Sequence, residues 1–391
     1  MSEFVVWFDS RETGAPVLNN AASSMIGVLD ACLVTGFNTK AVSAISIAAG
    51  VATVTCTGHG YSAEYSKDVR IEGATPAGVN GRKQITVVNA NTYTFPTTAT
   101  GAVTGTITAK RDPLGWIKEF TGTNTAVYKR SDVTATAIRL RVTDTAGTSA
   151  RAISVENPTD ANTYSQKAPA EGVVPGGYSW NKGSNSASSK HWILVGDSRL
   201  FYLITQAATQ TFPFATPDEY ASGAMAFGDL DSFKPGDAYG TFLTGELNDS
   251  SGGGSNVAPN ALFAGGAQSP VSPGGFTYAR GYSQLGGPAF GAVFGISRNA
   301  SGSNSQFVFP SPIDSGYVVS AQVLATEIVP GGASIRGLVP GIVEIFGRQP
   351  IEHLEVVQDL IGLTGRKIIG VRTYTAQGSA RGAFDITGPW R

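Results

Sequence analysis

Residues 192–204 read WILVGDSRLFYLI. Two apolar runs, 192–195 and 200–204, flank the turn-forming pair Gly196-Asp197, and the pattern predicts a β-hairpin. It is the clearest hairpin in the chain, and the sequence around it carries the same signal. Upstream, Ile138, Leu140 and Val142 alternate with Arg139 and Arg141, so a strand would turn its aliphatic side inward and its arginines outward. Residues 126–129 and 152–155 read as further strands, and 157–189 as a long polar loop ending in KGSNS at 182–186.

Closer to the start, residues 4–8 predict a short strand closed by Asp9. Met25, Ile26, Leu29 and Leu33 fall at helical spacing within 23–34, with Ser23 or Ser24 as N-cap and Gly36 as stop. The texture changes at residue 41. Residues 44–47 and 51–55 form a second hairpin pattern around Ala49-Gly50. Residues 68–73 alternate so that Val69 and Ile71 share a side, Asn80-Gly81 signals a turn, and 84–88, 92–95 and 101–109 read as strands. Five or six short strands in this stretch predict a small β-barrel or sandwich.

Residues 206–315 are rich in Gly, Ser and Pro and read as a loop or arm, with 250–255 (SSGGGS) flexible by composition. Aromatics such as Phe227, Phe242, Phe276 and Tyr278 argue against full disorder there. Regular patterning returns at 317–328, 343–346, 366–374 and 382–386, all read as strands.

Composition narrows the function classes. Charged residues make up 15% of the 391, against about 25% in ordinary soluble domains, and 28 basic residues balance 29 acidic ones. No basic run is present, so neither a nucleic-acid nor a membrane partner is expected. A sparse, balanced surface has little self-repulsion and favours association. The 49 glycines exceed the usual share of about 7% and lie scattered, as expected for many tight turns. Cys32 and Cys56 are too few for a disulfide framework and read as small buried hydrophobes. Neither a signal peptide nor a run of about 18 apolar residues is seen, so a soluble chain is expected.

No group of residues carries chemistry at a competent spacing. His59, His191 and His353 have no neighbour at metal-ligand spacing, and His59, in Gly58-His59-Gly60, reads as a turn or surface histidine. Gly196-Asp197-Ser198 lacks the GxSxG frame and falls on a hairpin turn rather than a strand–helix elbow. Asp229, Asp231 and Asp237 could suggest a calcium loop, but the spacing and the closing Glu are missing, so solvated loop carboxylates are expected. Gly252-Gly253-Gly254 is followed by no lysine and no helix, so it is no phosphate loop. No Asp/Glu pair is privileged for glycosidase work. Catalytic, cofactor-binding and metal residues are therefore all expected to be none, with no cofactor and no enzyme activity.

Three pieces carry a resemblance. The start, Val6-Trp7-Phe8-Asp9-Ser10 with Thr13-Gly14-Ala15-Pro16, is similar to that of uncharacterised structural proteins of tailed phages and prophages. So are residues 29–38, LDACLVTGFN, and the close, FDITGPW at 384–390. Between them, residues 50–109, with Gly58-His59-Gly60-Tyr61, Ile71-Glu72-Gly73-Ala74 and Asn80-Gly81 in that order, resemble a small β-barrel insert of phage virion proteins. That barrel looks like the first catalytic cysteine half-domain of ubiquitin-activating enzymes, a likeness of fold that implies no ubiquitin chemistry.

The resemblance implies a virion component made in the bacterial host cytoplasm. Its partners would be other virion proteins and copies of itself, with a host surface receptor as a further candidate. A tail-tip or baseplate place comes first, capsid decoration or the head–tail connector region second, and a receptor-binding adhesin third. A tail-associated hydrolase is the enzymatic alternative.

The fold expected is all-β with one short N-terminal helix, a sandwich or barrel body carrying an inserted barrel. Residues 1–40 would begin the body, 41–109 form the insert, 110–205 the β-rich body, 206–315 the loop region and 316–391 the C-terminal β-rich part.

Overall fold

A computed structural model describes residues 4–63, 67–182, 187–206, 221–247, 275–294, 319–345, 349–358, 363–375 and 378–391, together with 310, 312, 315–317 and 360. The described residues are built mainly into strands, with one short α-helix among them. Among the described residues no helix is long and apolar enough to cross a membrane.

The hairpin of the opening stretch pairs Trp192–Gly196 with Leu200–Gln206, and both strands are buried throughout. Their runs are continuous rather than alternating because the sheet is covered on both faces. Trp192, Leu194, Phe201 and Leu203 enter one core cluster, while Ile193, Val195, Leu200, Tyr202 and Ile204 enter the other. Each such side chain contributes roughly 1.5–3 kcal/mol when fully buried. Val6–Asp9 adds to the outer side of Trp192–Gly196, and Ala221–Asp229 to that of Leu200–Gln206.

From there a 15-stranded sheet runs on. One arm passes through Thr241–Thr244, Phe276–Tyr278, Ala289–Phe294, Leu324–Val329, Gly332–Leu338 and Asp231–Ser232. The other passes through Lys367–Thr375, Gly378–Asp385, Ile342–Ile345 and Val319–Ser320, with Val356–Gln358 beside Lys367–Thr375. The stretch 206–315, expected as a loop or arm, thus supplies inner strands of this sheet. Three- and four-residue strands such as Phe276–Tyr278 are too short to show an alternation and sit among turn residues. Residues 250–255 lie outside the described residues.

A second sheet of six strands orders Ile117–Gly122, Thr125–Lys129, Arg139–Thr143 and Ser149–Glu156. The polar loop expected over 157–189 contains its last two members. Gln166–Ala168 pairs with residues 154–156, and Tyr178–Asn181 with residues 149–152, so one long strand takes two short ones along a single edge. Leu140 and Val142 face inward as their spacing requires.

The helix is α only over Ser24–Leu29 and continues as a π-helix over Asp30–Thr35, ending at Gly36 with φ 74°. The expected serine cap is not made. Instead Asp144, from a distant turn, accepts the N–H groups of Met25 and Ile26 at 2.8 and 3.1 Å.

Residues 37–111 form two four-stranded sheets face to face. One orders Phe37–Ala41, Thr108–Arg111, Asp68–Glu72 and Gly81–Gln84; the other orders Ala44–Ala48, Val51–Thr55, Thr92–Pro96 and Thr86–Asn89. Eight strands stand where five or six were expected. Part of the difference is Ile85, which divides the expected 84–88 strand between the two sheets. The Asn80-Gly81 turn is in fact a 3-10 turn, Ala77–Val79, with Gly81 opening a strand. Val54, Val69, Ile71, Tyr93 and Phe95 fill a core separate from those of the body.

Arg111 joins the small unit to the body. It is buried, donates to Glu12 Oε2 at 2.7 Å, Asp68 O at 2.7 Å and Trp7 O at 2.5 Å, and lies over the Phe8 ring.

Candidate functional site

The residues weighed for chemistry are held apart, and most are committed to the fold. His59 occupies the turn between two left-handed glycines, as expected, but it is buried rather than at the surface. Its Nδ1 accepts the Tyr61 N–H at 2.9 Å, so Nε2 carries the proton and donates to Asn89 O at 2.9 Å. Both ring nitrogens are thereby used to tie one loop to another. His191 is buried against Asp9, Nε2 to Oδ1 at 3.1 Å. His353 is half-buried in a turn of the C-terminal part. Among the described residues no group of His, Cys, Asp or Glu is arranged to hold a metal ion. Cys32 and Cys56 are buried and free, as their apolar settings suggested.

Asp197 is a turn-forming residue. Its Oδ1 accepts the N–H groups of Arg199 and Leu200 at 2.7 Å each, and its Oδ2 takes Arg391 Nη1 at 2.6 Å. Ser198 donates to Asp132 Oδ2 at 3.1 Å, a carboxylate where a serine nucleophile would need a base relay through histidine. Gly252-Gly253-Gly254 lies outside the described residues.

The acidic trio is not a set of solvated loop carboxylates. Asp231 is exposed, but Asp229 is buried between Arg130 Nη1 at 2.9 Å and Thr241 Oγ1 at 2.6 Å, with Arg199 Nε at 3.6 Å. Burial pushes its carboxyl up, and Arg130, Thr241 and their neighbours outweigh that, leaving it below the usual range. Asp237 belongs to a different network, centred on Arg336.

That network draws polar groups from three segments onto one buried cation. Arg336 is wholly buried and donates through Nε and Nη2 to Asp237 at 3.1 Å each, and through Nη1 to Glu327 Oε2 at 3.1 Å. The bidentate pairing with Asp237 matches the guanidinium fork. Its remaining donors reach the carbonyls of Tyr239 at 2.8 Å and Arg280 at 2.7 Å, and its plane lies 4.2 Å from the Tyr278 ring centre. Burial raises the Glu327 carboxyl above its usual range, with Arg336 opposing. The two carboxylates are thus clamped to one cation, an arrangement that holds loops rather than one that supplies a free acid and a free base.

Aromatic residues lie beside the clamp. Phe233 donates its N–H to Arg336 O at 2.9 Å, and Lys234 Nζ reaches Tyr282 O at 2.6 Å while lying over the Tyr282 ring. Phe233 is exposed by 55% beside this network, and Tyr239 and Tyr282, which bear on Arg336, are half-buried. The sequence hid this site because its members come from segments around 233, 280 and 335 that only the sheet brings together.

Compared with known proteins, the chain matches no family profile, and no curated protein is significantly similar to it.

Proposed function

We propose that the chain is a structural component of a tailed-phage virion, placed in the tail at the tip or baseplate and acting by assembly rather than by chemistry. One observation carries most weight. The two terminal stretches that bear the resemblance meet in one core: Val5 and Trp7 pack in the same cluster as Phe384, with Ile386 and Trp390 against it. The close approach extends to Gly388, where an added Cβ would lie 2.5 Å from Val5 Cγ2. The quoted start and end therefore act as one packing unit. The low, balanced charge adds support, because self-association meets little repulsion.

Mass spectrometry of purified particles from an induced lysate tests the reading, with antibody labelling to place the chain. The chain is expected in the particle and at the tail end. Its absence from particles overturns the proposal, and labelling of the head would favour the decoration or connector place instead.

The exposed Phe233 and half-buried Tyr239 and Tyr282 beside Arg336 favour a second reading, attachment to a cell-surface receptor, since such aromatic rings suit sugar or protein contacts. Loss of particle adsorption on Phe233→Ala would support it. Turnover on host cell-wall or surface glycans, abolished by a carboxylate variant, would instead make the chain a hydrolase.

A further inference from the structure

The small unit has one sheet edge that lacks every usual protection. Exposed edges present unpaired N–H and C=O groups, and soluble proteins blunt them with charge, proline, bulges or shortness. Phe37–Ala41 carries Lys40 and a register shift. Gly81–Gln84 carries Arg82 and Lys83, and Thr86–Asn89 has a register shift. In the body, Ile117–Gly122 carries Lys118, Glu119 and a shift. Ala44–Ala48 has five residues, no charge, no proline and an unbroken register with Val51–Thr55, its only strand partner among the described residues.

The direction of its free groups follows from its neighbours. Gly50 O and Cys56 N–H bond to Thr97 and Asn91, on the side of Thr92–Pro96. Main-chain groups alternate in direction along an antiparallel strand, so Val51, Thr53 and Thr55 turn theirs toward Ala44–Ala48. Their partners Ala48, Ser46 and Ala44 face back, and Ile45 and Ile47 turn their N–H and C=O outward. The side chains of Ala44, Ser46 and Ala48 are exposed and small, and the outer face they share with Val51, Thr53 and Thr55 bears no charge.

We propose that this edge pairs with the same edge of a second copy of the chain. The strand is self-complementary about Ser46. In an antiparallel pair centred there, Ile45 and Ile47 of one copy exchange main-chain hydrogen bonds with Ile47 and Ile45 of the other. Ala44 then faces Ala48, and Ser46 faces Ser46 of the second copy across a closely spaced position. The result is one sheet continuous through two small units, closed by a two-fold axis, so the contact is isologous and ends at a pair. A like-charge penalty, the usual bar to edge pairing, is absent on both sides.

The inference deepens the assembly reading and rests on it only for the expectation that copies meet. Sedimentation velocity on the full chain at rising concentration, with two substitutions at residue 46, tests it. The wild type should pass from monomer to dimer. Ser46→Lys, which sets like charges face to face, should weaken the dimer at least several-fold, as should Ser46→Glu, and mixing the two should restore pairing.

Under oxidation Ser46→Cys should give a covalent dimer, whereas Thr94→Cys, on the same outer face but two strands inward, should not. A wild type that stays monomeric overturns the contact, as does a dimer insensitive to Ser46→Lys or equal cross-linking at residue 94. Particles that contain the chain without a Ser46→Cys cross-link would sink this contact and leave the assembly reading to other surfaces.

Discussion

The small unit of residues 37–111 and the body close their cores by different means. The small unit packs aliphatic and aromatic side chains, with His59 stacked on Tyr61 at 5.2 Å and edge-on to Tyr93 at 5.3 Å, and its buried arginine, Arg111, pairs with Glu12 at the junction with the body. The body buries whole ion pairs: Lys182 with Asp144, Arg130 with Asp229, and Arg336 with Asp237 and Glu327. A low charge content therefore does not mean a chain that leaves charge on its surface. Much of the little charge present is used inside, where pairs such as Arg130–Asp229 and Arg336–Asp237 tie together segments far apart in sequence. A buried pair adds little net stability over a well-packed apolar alternative, yet breaking one is costly because the surviving charge stays in the interior. The body should thus be sensitive to polar substitutions and the small unit tolerant of them.

The largest expected effect comes from Asp144→Ala. The substitution strands Lys182, whose side chain is fully buried, and removes the acceptor for the first N–H groups of the helix. Breaking the pair should cost about 3–5 kcal/mol. All five tryptophans, Trp7, Trp116, Trp180, Trp192 and Trp390, lie outside residues 37–111, so their fluorescence reports on the body. Denaturant unfolding followed by that signal should shift strongly, while amide exchange at Val54 and Phe95 stays near wild type. Equal loss of protection at those two amides would mean that the small unit cannot stand when the body weakens, and would break the comparison.

The same contrast explains what could be read in the residues. Hairpins such as Ala44–Ala48 with Val51–Thr55, and Trp192–Gly196 with Leu200–Gln206, were legible because a turn and the two runs that flank it lie within a dozen or so neighbouring positions. The inner strands Thr241–Thr244 and Phe276–Tyr278 were not, since their strand character comes from partners rather than from their own length or pattern. Asp237 looked solvated for a similar reason: Arg336, which buries it, comes 99 residues later. The helix was legible from its apolar spacing, but its cap was not, because Asp144 lies 119 residues from Met25. The candidate site was hidden entirely, as nothing local links Phe233 and Lys234 to Tyr282 and Arg336.

A second way to sharpen the comparison is acid. Burial alone would raise the Asp9 carboxyl, but hydrogen bonds with His191 and Arg11 outweigh it and lower its pKa from 3.8 to about 2. A carboxyl with a depressed folded-state pKa stabilises the fold above its unfolded value and loses that contribution as pH falls through the folded one. The window is therefore from about pH 4 down to about pH 2, and the contribution lost is about 2 kcal/mol. Asp9→Asn should flatten the acid limb of the tryptophan-detected stability curve across that window. An unchanged limb would show that Asp9 does not set the acid sensitivity of the body.

The smallest effect should carry the opposite sign. The hydroxyls of Tyr61 and Tyr93 are buried in the small unit with no hydrogen-bond partner among the described residues, and burial pushes both phenols well above their ordinary range. An unpaired buried hydroxyl costs more than it contributes, so Tyr93→Phe removes a penalty while keeping the ring contacts with His59 and Tyr61. The variant should be as stable as wild type or more stable by about 1 kcal/mol, read as slower exchange at Val54 and Phe95. Destabilisation by a similar amount would mean that the hydroxyl is satisfied in solution, and that the small unit, like the body, depends on its buried polar groups.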